Sequence, residues 1–360
     1  MYVYGRLNRT VSIAALAAVC CASFVGQAAA QSRPPAKTAT TQKSVKPTAT
    51  PVRVQKARTT TTRSAATRTR AARARAAALA RAAAAARMVR EANTPRYKKD
   101  ALGNIVPDVR AAAAIVFNPQ TNEVLWEANS HDRRSIASLT KVMTGVAFIA
   151  DDPDLSRQVT VVTADVRGAN VTYLRAGETL ALRDVLNLTL IASDNAAARI
   201  LARTSEGGMP AFVERMNDMA RQLGLTNSHY TDPSGLDDRN VSSAYDVSHL
   251  IAFASANPQL ASVMSAAQYQ VRTSRRVIKI HSTNKLLGTG MDVVAGKTGF
   301  IRKAGYCFAT LLQIPHGSQV AVVVLGATNS TLRFAEARHL FNWVVGRANG
   351  LIGGGDIVER

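Results

Sequence analysis

Residues 135–144 read S-I-A-S-L-T-K-V-M-T. A lysine stands three positions after a serine, with Ile136, Ala137, Leu139, Val142 and Met143 around the pair. In a helix, residues three apart share a face, so the Ser138 hydroxyl and the Lys141 amine would lie side by side. A serine hydroxyl is a poor nucleophile until a base takes its proton. Lysine serves as that base only when its amine is neutral, and desolvation or a neighbouring cation lowers its pKa. The apolar flank could supply the first effect and a second lysine the other. The plain alternative is a surface lysine.

Alone, S-x-x-K should occur roughly once by chance in a chain of this size. Two further motifs follow it. Ser193-Asp194-Asn195 lies inside L-T-L-I-A-S-D-N-A-A-A, and Lys297-Thr298-Gly299 inside V-V-A-G-K-T-G-F. Each tripeptide is expected in only about one such chain in twenty, so three in this order argue against coincidence. Taken singly, Asp194-Asn195 would also make a helix cap and Lys297 a surface strand lysine.

S-x-x-K, S-D-N and K-T-G in this order resemble the β-lactamases and penicillin-binding proteins. The finer resemblance is to the D-alanyl-D-alanine carboxypeptidase family of low-molecular-mass penicillin-binding proteins. It is carried by I-A-S-L-T-K-V-M-T, D-P-S-G-L (232–236), T-N-K-L-L (283–287), G-K-T-G-F-I-R-K-A-G-Y-C (296–307) and L-R-F (332–334), and it covers about 104–347. It does not extend to the family's common second, all-β domain or to its amphipathic anchor, which is similar to the shorter members that act as endopeptidases. The fold it implies is α/β: an antiparallel sheet covered by helices, plus an all-helical subdomain.

The resemblance also implies roles. Ser138 would attack the carbonyl of the penultimate D-Ala, with Lys141 as its base. Ser193 would relay a proton to the leaving amine and Asn195 would hold the substrate backbone. Lys297 would add a second positive charge, helping to neutralise Lys141 and attracting an anionic substrate. Thr298 and Arg333 would grip the terminal carboxylate, for which a guanidinium fork is suited. Strand residues after Gly299 would pair with the substrate chain, and the backbone N–H groups of Ser138 and Phe300 would form the oxyanion hole. The implied substrate is a peptidoglycan stem peptide ending in D-Ala-D-Ala, and β-lactams would stall as acyl-enzymes.

A class A β-lactamase shares the three motifs. That class resembles E-x-x-L-N between the second and third, whereas Glu214-Arg215-Met216-Asn217 lacks both leucine and spacing. Inhibition by penicillins is therefore expected, and not their rapid turnover. An idle wall-binding module is disfavoured by the intact Ser138, Lys141 and Lys297. Carboxypeptidase and endopeptidase both cut after a D-Ala carbonyl, so the choice between them stays open.

The formal net charge of +21 suggests a nucleic-acid binder until the chain is divided. Residues 31–100 hold eighteen Lys/Arg against Glu91 and Asp100, whereas 101–360 hold 25 basic and 22 acidic side chains. The excess lies in a low-complexity segment. Residues 1–30 resemble a secretory signal: Arg6 and Arg9, an apolar Val11–Val25 run, then Ala28-Ala29-Ala30. An uncleaved anchor is the alternative, because Thr10–Ala30 is long enough to span. Export to the periplasm or cell envelope makes nucleic acid an unexpected partner. With Cys20 and Cys21 removed, only Cys307 remains, so no intrachain disulfide is expected. Its setting, A-G-Y-C-F-A-T-L-L, suits a buried small hydrophobe. The scattered histidines offer no metal pair, and no cofactor is expected.

Residues 31–62 are expected to be disordered. The Ala/Arg-rich 64–92 stretch would at most form a partial helix, because alanine favours helix but the arginines keep to no face. The whole of 31–100 reads as a basic tether, drawn to anionic envelope surfaces or serving as a plain spacer. Order should begin near Ala101, with a catalytic domain over 101–350 and a short tail over 351–360. Strands are expected at 110–117, 123–127, 275–281, 305–312 and 320–327. Helices are expected from Ser138, at 179–204, at 209–223 and at 331–348. Strands at both ends of the chain imply a sheet assembled from distant pieces.

Overall fold

The computed structural model describes residues 61–315, 317–348 and 350, with side chains from residue 69 to 347. The expected signal (1–30), the first half of the expected tether and the 351–360 tail lie outside the described residues. Two compact units separate at Ser64/Ala65, and of the first only 61–64 are described, the opening turn of α1. Every element beyond α1 belongs to the second unit, Ala65–Arg360.

Order begins earlier than the composition suggested. α1 is a complete helix over Thr61–Asn93, and β1 (Tyr97–Lys99) pairs antiparallel with β2 (Ile105–Pro107). Alanine's helix propensity explains the regularity, and the lack of an apolar face explains why the helix is exposed from residue 69 to 91. Its last turn is fastened. Arg87 Nε donates to Glu91 Oε1 at 2.7 Å, and Arg110 Nη2 donates to Glu91 O at 2.8 Å.

The chain continues through β3 (Ala113–Asn118), β4 (Glu123–Ala128), β5 (Arg134–Ser135), a 3₁₀ turn at Ala137–Leu139 and α2 (Thr140–Ile149). Then come β6 (Gln158–Thr160), α3 (Thr163–Val166), β7 (Thr179–Ala181), α4 (Leu182–Leu190), α5 (Asn195–Thr204) and α6 (Gly208–Gln222). β8 (Val241–Ser242), α7 (Ala244–Ala256) and α8 (Pro258–Ser265) follow. The chain closes with β9 (Gln268–Arg272), β10 (Val277–His281), β11 (Val293–Ile301), β12 (Gly305–Gln313), β13 (Gln319–Ala327) and α9 (Ser330–Ala348).

One antiparallel sheet joins the two ends of this sequence in the order β11-β12-β13-β3-β4. β3, β12 and β13 are apolar on both faces because both are covered. Ala114, Val116, Phe308, Val322 and Val324 pack with Leu332, Leu340, Phe341 and Trp343 of α9. Ala113, Ile115, Ala309, Val323 and Leu325 pack into the core shared with α2, α4, α5 and α7. The sheet of distant pieces is thus as expected.

Three local expectations are corrected. The Val277–His281 strand belongs to a separate hairpin with β9 and not to the central sheet. The 179–204 segment is not one helix. It breaks after Leu190 and restarts at Asn195, with Ser193 at φ 59° and Asp194 as N-cap, its side chain accepting from Ala197 N. Ser138 sits in a 3₁₀ turn ahead of α2 and not inside an α-helix. Cys307, by contrast, is buried in β12 as expected, and burial pushes its thiol up to about 11.

Candidate active site

The edge strand β11 and the turn carrying Ser138 pass one another at backbone contact. Gly299 makes this possible: a Cβ there would lie 2.8 Å from Ile136 O and 3.1 Å from Ser138 N. Ala137, immediately before Ser138, takes φ 49°, a left-handed conformation that costs an alanine about 1–2 kcal/mol. The neighbours hold it there. Gly235, at φ 76°, lies so close that a Cβ would come within 2.0 Å of Ala137 O. Two positive-φ residues, Ala137 and Ser193, therefore present the two serines of the site, which matches the concentration of backbone strain at reactive centres.

Lys141 lies on the first turn of α2 and is fully buried. Its Nζ donates to Ser138 Oγ at 2.9 Å, to Asn195 Oδ1 at 2.6 Å and to the Ser234 carbonyl at 2.6 Å. Three acceptors match the three protons of an ammonium, which makes burial of the charge tolerable. Burial is nevertheless the leading influence and lowers its pKa to about 7. Asp232 and Asp194 pull in the opposite direction, and Arg199 adds to the lowering. The expectation of a depressed amine is met, but its main cause is desolvation and the contributing cation is Arg199. Repulsion between the two lysines is felt at Lys297.

Lys297 is buried in β11. Its Nζ donates to Ser193 Oγ at 2.7 Å and to Thr298 O at 2.9 Å. Burial, then Lys141, then Arg333 hold its amine well below the ordinary lysine range. Neither lysine is therefore the surface residue of the plain alternative. Asn195 is fixed at its other end, with Nδ2 donating to Ala169 O at 2.7 Å. The two hydroxyl–amine pairs, Ser138–Lys141 and Ser193–Lys297, stand near enough for Lys141 to lower the Lys297 amine. Thr298 Oγ1 donates to Thr283 Oγ1 at 2.7 Å.

Phe300 and Arg333 stand further out. The Phe300 ring is half exposed and stacks on Tyr306, with centroids 4.2 Å apart. Arg333 lies behind β11. Its Nη1 donates to Gly299 O at 2.9 Å and Cys307 O at 3.2 Å, and its guanidinium lies between Tyr306 and Phe334. It braces the K-T-G strand and bonds directly to none of Ser138, Lys141, Ser193 or Asn195. Burial lowers its pKa to about 10, so it keeps its charge at neutral pH.

Residue chemistry did not reveal two contributors. The Ser234 carbonyl is a main-chain group, and its approach to Lys141 depends on the fold of the 231–240 loop. Asn284 packs against Gly296, where a Cβ would meet Asn284 Nδ2 at 2.4 Å. The stretches D-P-S-G-L and T-N-K-L-L were the available signals. Among the described residues no cluster of His, Cys, Asp and Glu could hold a metal ion.

A serine hydroxyl bonded to a buried lysine amine of lowered pKa, with a second serine–lysine pair opposite, defines the acylating class of serine peptidases. The family profile described as D-alanyl-D-alanine carboxypeptidase matches residues 100–329, and the chain belongs to that family. Curated relatives carry both activities in their names. A D-alanyl-D-alanine endopeptidase of Pseudomonas aeruginosa is 32% identical over 66% of this chain and 78% of its own length. The D-alanyl-D-alanine carboxypeptidase DacC of Escherichia coli is 31% identical over 66% of this chain and 62% of its own length. Among solved structures, a D-alanyl-D-alanine carboxypeptidase from Mycobacterium tuberculosis superposes with a TM-score of 0.62 at 27% identity, covering 66% of this chain and 92% of that one. A mutant of a Streptomyces DD-transpeptidase gives 0.64 at 26% identity, covering 68% of this chain and all of that one.

Proposed function

We propose that this serine peptidase is a penicillin-sensitive D-Ala-D-Ala carboxypeptidase acting on peptidoglycan stem peptides through an acyl-enzyme. The observation that carries this reading is the 2.9 Å bond between Ser138 Oγ and the buried Lys141 amine. Neutral Lys141 takes the Ser138 proton as Oγ attacks the carbonyl of the penultimate D-Ala. The backbone N–H groups of Ser138 and Phe300 receive the oxyanion, and each such donor contributes roughly 3–4 kcal/mol in other acyl enzymes. Ser193, bonded to Lys297, delivers a proton to the departing amine, and Asn195 holds the substrate backbone. The terminal carboxylate meets Thr298, with the Arg333 charge behind it. Water then releases the acyl group.

The test is labelling by a fluorescent penicillin together with release of D-alanine from a stem pentapeptide. Wild type is expected to do both and Ser138→Ala neither. Equal labelling of the two proteins would remove the reading. Acylation requires the neutral amine, so its rate should rise as pH increases through about 7, where Lys141 loses its proton. A rate flat between pH 6 and 8 would exclude Lys141 as the base.

Cleavage of cross-links is a second reading. It is favoured by the endopeptidase relatives, of which the chain spans 78% of the length. Digestion of purified sacculi separates the two: free D-alanine marks the carboxypeptidase, and loss of cross-linked dimers marks the endopeptidase. We also propose export through residues 1–30 to the periplasm. The exposed arginines of α1 (Arg70, Arg73, Arg75, Arg81, Arg87 and Arg90) would then hold the enzyme near anionic envelope surfaces.

A further inference from the structure

The 231–240 loop lies outside S-x-x-K, S-D-N and K-T-G, yet it touches Lys141 directly through the Ser234 carbonyl. Five hydrogen bonds converge on a single half-buried carboxylate there. Asp232 Oδ1 accepts from Ser234 N at 2.6 Å, Ser234 Oγ at 2.5 Å and Gly235 N at 2.9 Å. Oδ2 accepts from Asp237 N at 2.9 Å and Asn240 Nδ2 at 2.5 Å. The loop is then tied to the nucleophile's own segment. Ile136 N donates to Asn240 O at 3.2 Å, and Thr144 Oγ1 of α2 donates to Pro233 O at 2.6 Å. The result is that Ser234 O lies 2.6 Å from Lys141 Nζ.

We propose that Asp232 is a positioning residue of the acylation site: its carboxylate shapes the 231–240 loop that brings the Ser234 carbonyl to Lys141, and its charge acts on that amine. The inference rests on the reading of Ser138 and Lys141 as nucleophile and base. The charges around Lys141 come from three elements. α5 brings Asp194 and Arg199, β11 brings Lys297, and the loop brings Asp232; the remaining neighbours, Ser138, Asn195 and the Ser234 carbonyl, are uncharged. Asp232 is the strongest of the influences that keep the proton on Lys141, ahead of Asp194. Its carboxylate thus offsets part of the desolvation that burial imposes, and it keeps the amine close to balance at neutral pH, where one group can both take and return a proton.

The experiment is the pH profile of acylation by a fluorescent penicillin, taken for wild type, Asp232→Asn and Asp232→Glu. Removing the charge lets Lys141 lose its proton more easily. The acid limb of Asp232→Asn should therefore move to lower pH by about half to one unit, whatever happens to the maximal rate. Asp232→Glu keeps the charge and disturbs the loop, so its rate should fall with the limb in place. A limb unmoved or moved upward in Asp232→Asn overturns the proposal, because a purely structural loop lowers the rate equally at every pH. If Asp232→Asn does not accumulate in soluble form, a moved limb in Asp232→Glu overturns it. Failure of wild type to label, or labelling of Ser138→Ala, defeats the underlying reading as well and is distinguished by that control.

Discussion

Lys141→Met is expected to lower the rate of penicillin acylation by at least about a thousandfold, the scale seen when a base or nucleophile is removed from comparable serine enzymes. Methionine has nearly the volume of the lysine stem and keeps its packing. The fold is therefore expected to survive, with a melting temperature below that of wild type by the cost of two buried oxygens left without a donor. The variant leaves Ser138 Oγ without its bond to Nζ and the Asn195 and Ser234 oxygens without a donor. Two readouts separate this from a general defect. The acid limb near pH 7 disappears, because the group that titrates there is gone, and residual labelling follows hydroxide alone. A variant that keeps more than a tenth of the wild-type rate, or retains the limb, would mean that another group takes the serine proton.

Gly235→Ala is the second large effect, and it acts on structure. The added Cβ would lie 2.0 Å from Ala137 O, 2.4 Å from Ala137 C and 2.9 Å from Thr140 Oγ1. Two of those atoms are backbone, and the glycine itself is at φ 76°, so neither side can yield cheaply. Left-handed strain alone costs about 1–2 kcal/mol, and the overlap adds to it. A loss of at least about 2 kcal/mol in unfolding free energy is expected by urea titration. Ala137 immediately precedes Ser138, the proposed nucleophile, so acylation should fall even in molecules that remain folded. Wild-type stability together with wild-type acylation would show that the loop and the turn can separate.

These predictions rest on parts of the molecule that were unequally visible before folding. S-x-x-K, S-D-N and K-T-G were legible because nucleophile, base and relay need particular side chains at particular separations. The apolar runs of β3, β12 and β13 were legible because strands covered on both faces leave no polar alternation. The break between α4 and α5 was not, since residues 179–204 have helix-compatible residues on either side of Ser193. The one signal was the helix cap that Asp194-Asn195 also offered; in the fold the Asp194 side chain accepts from Ala197 N, and packing against α2 holds the turn. A strand at Lys297-Thr298-Gly299 was legible, but its full extent over Val293–Ile301 was not, because Gly296, Lys297 and Gly299 have weak strand preference and the partner β12 supplies the pairing.

Chain order and side-chain identity therefore settled which residues could carry the chemistry, the apolar surface available to bury them and the family to which the chain belongs. The protonation of those residues was decided by the fold. Lys141 is an ordinary lysine in the sequence; its pKa falls to about 7 because the fold buries it away from water and brings Arg199 near, against the opposing pull of Asp232 and Asp194. The placement of Arg333 behind the K-T-G strand, and of the Ser234 carbonyl against Lys141, came from side-chain-to-backbone hydrogen bonds between segments as much as 93 residues apart in the chain. The physical reason is the same in both cases: burial and hydrogen-bond geometry belong to the arrangement of neighbours in space, and no stretch of residues specifies its own neighbours.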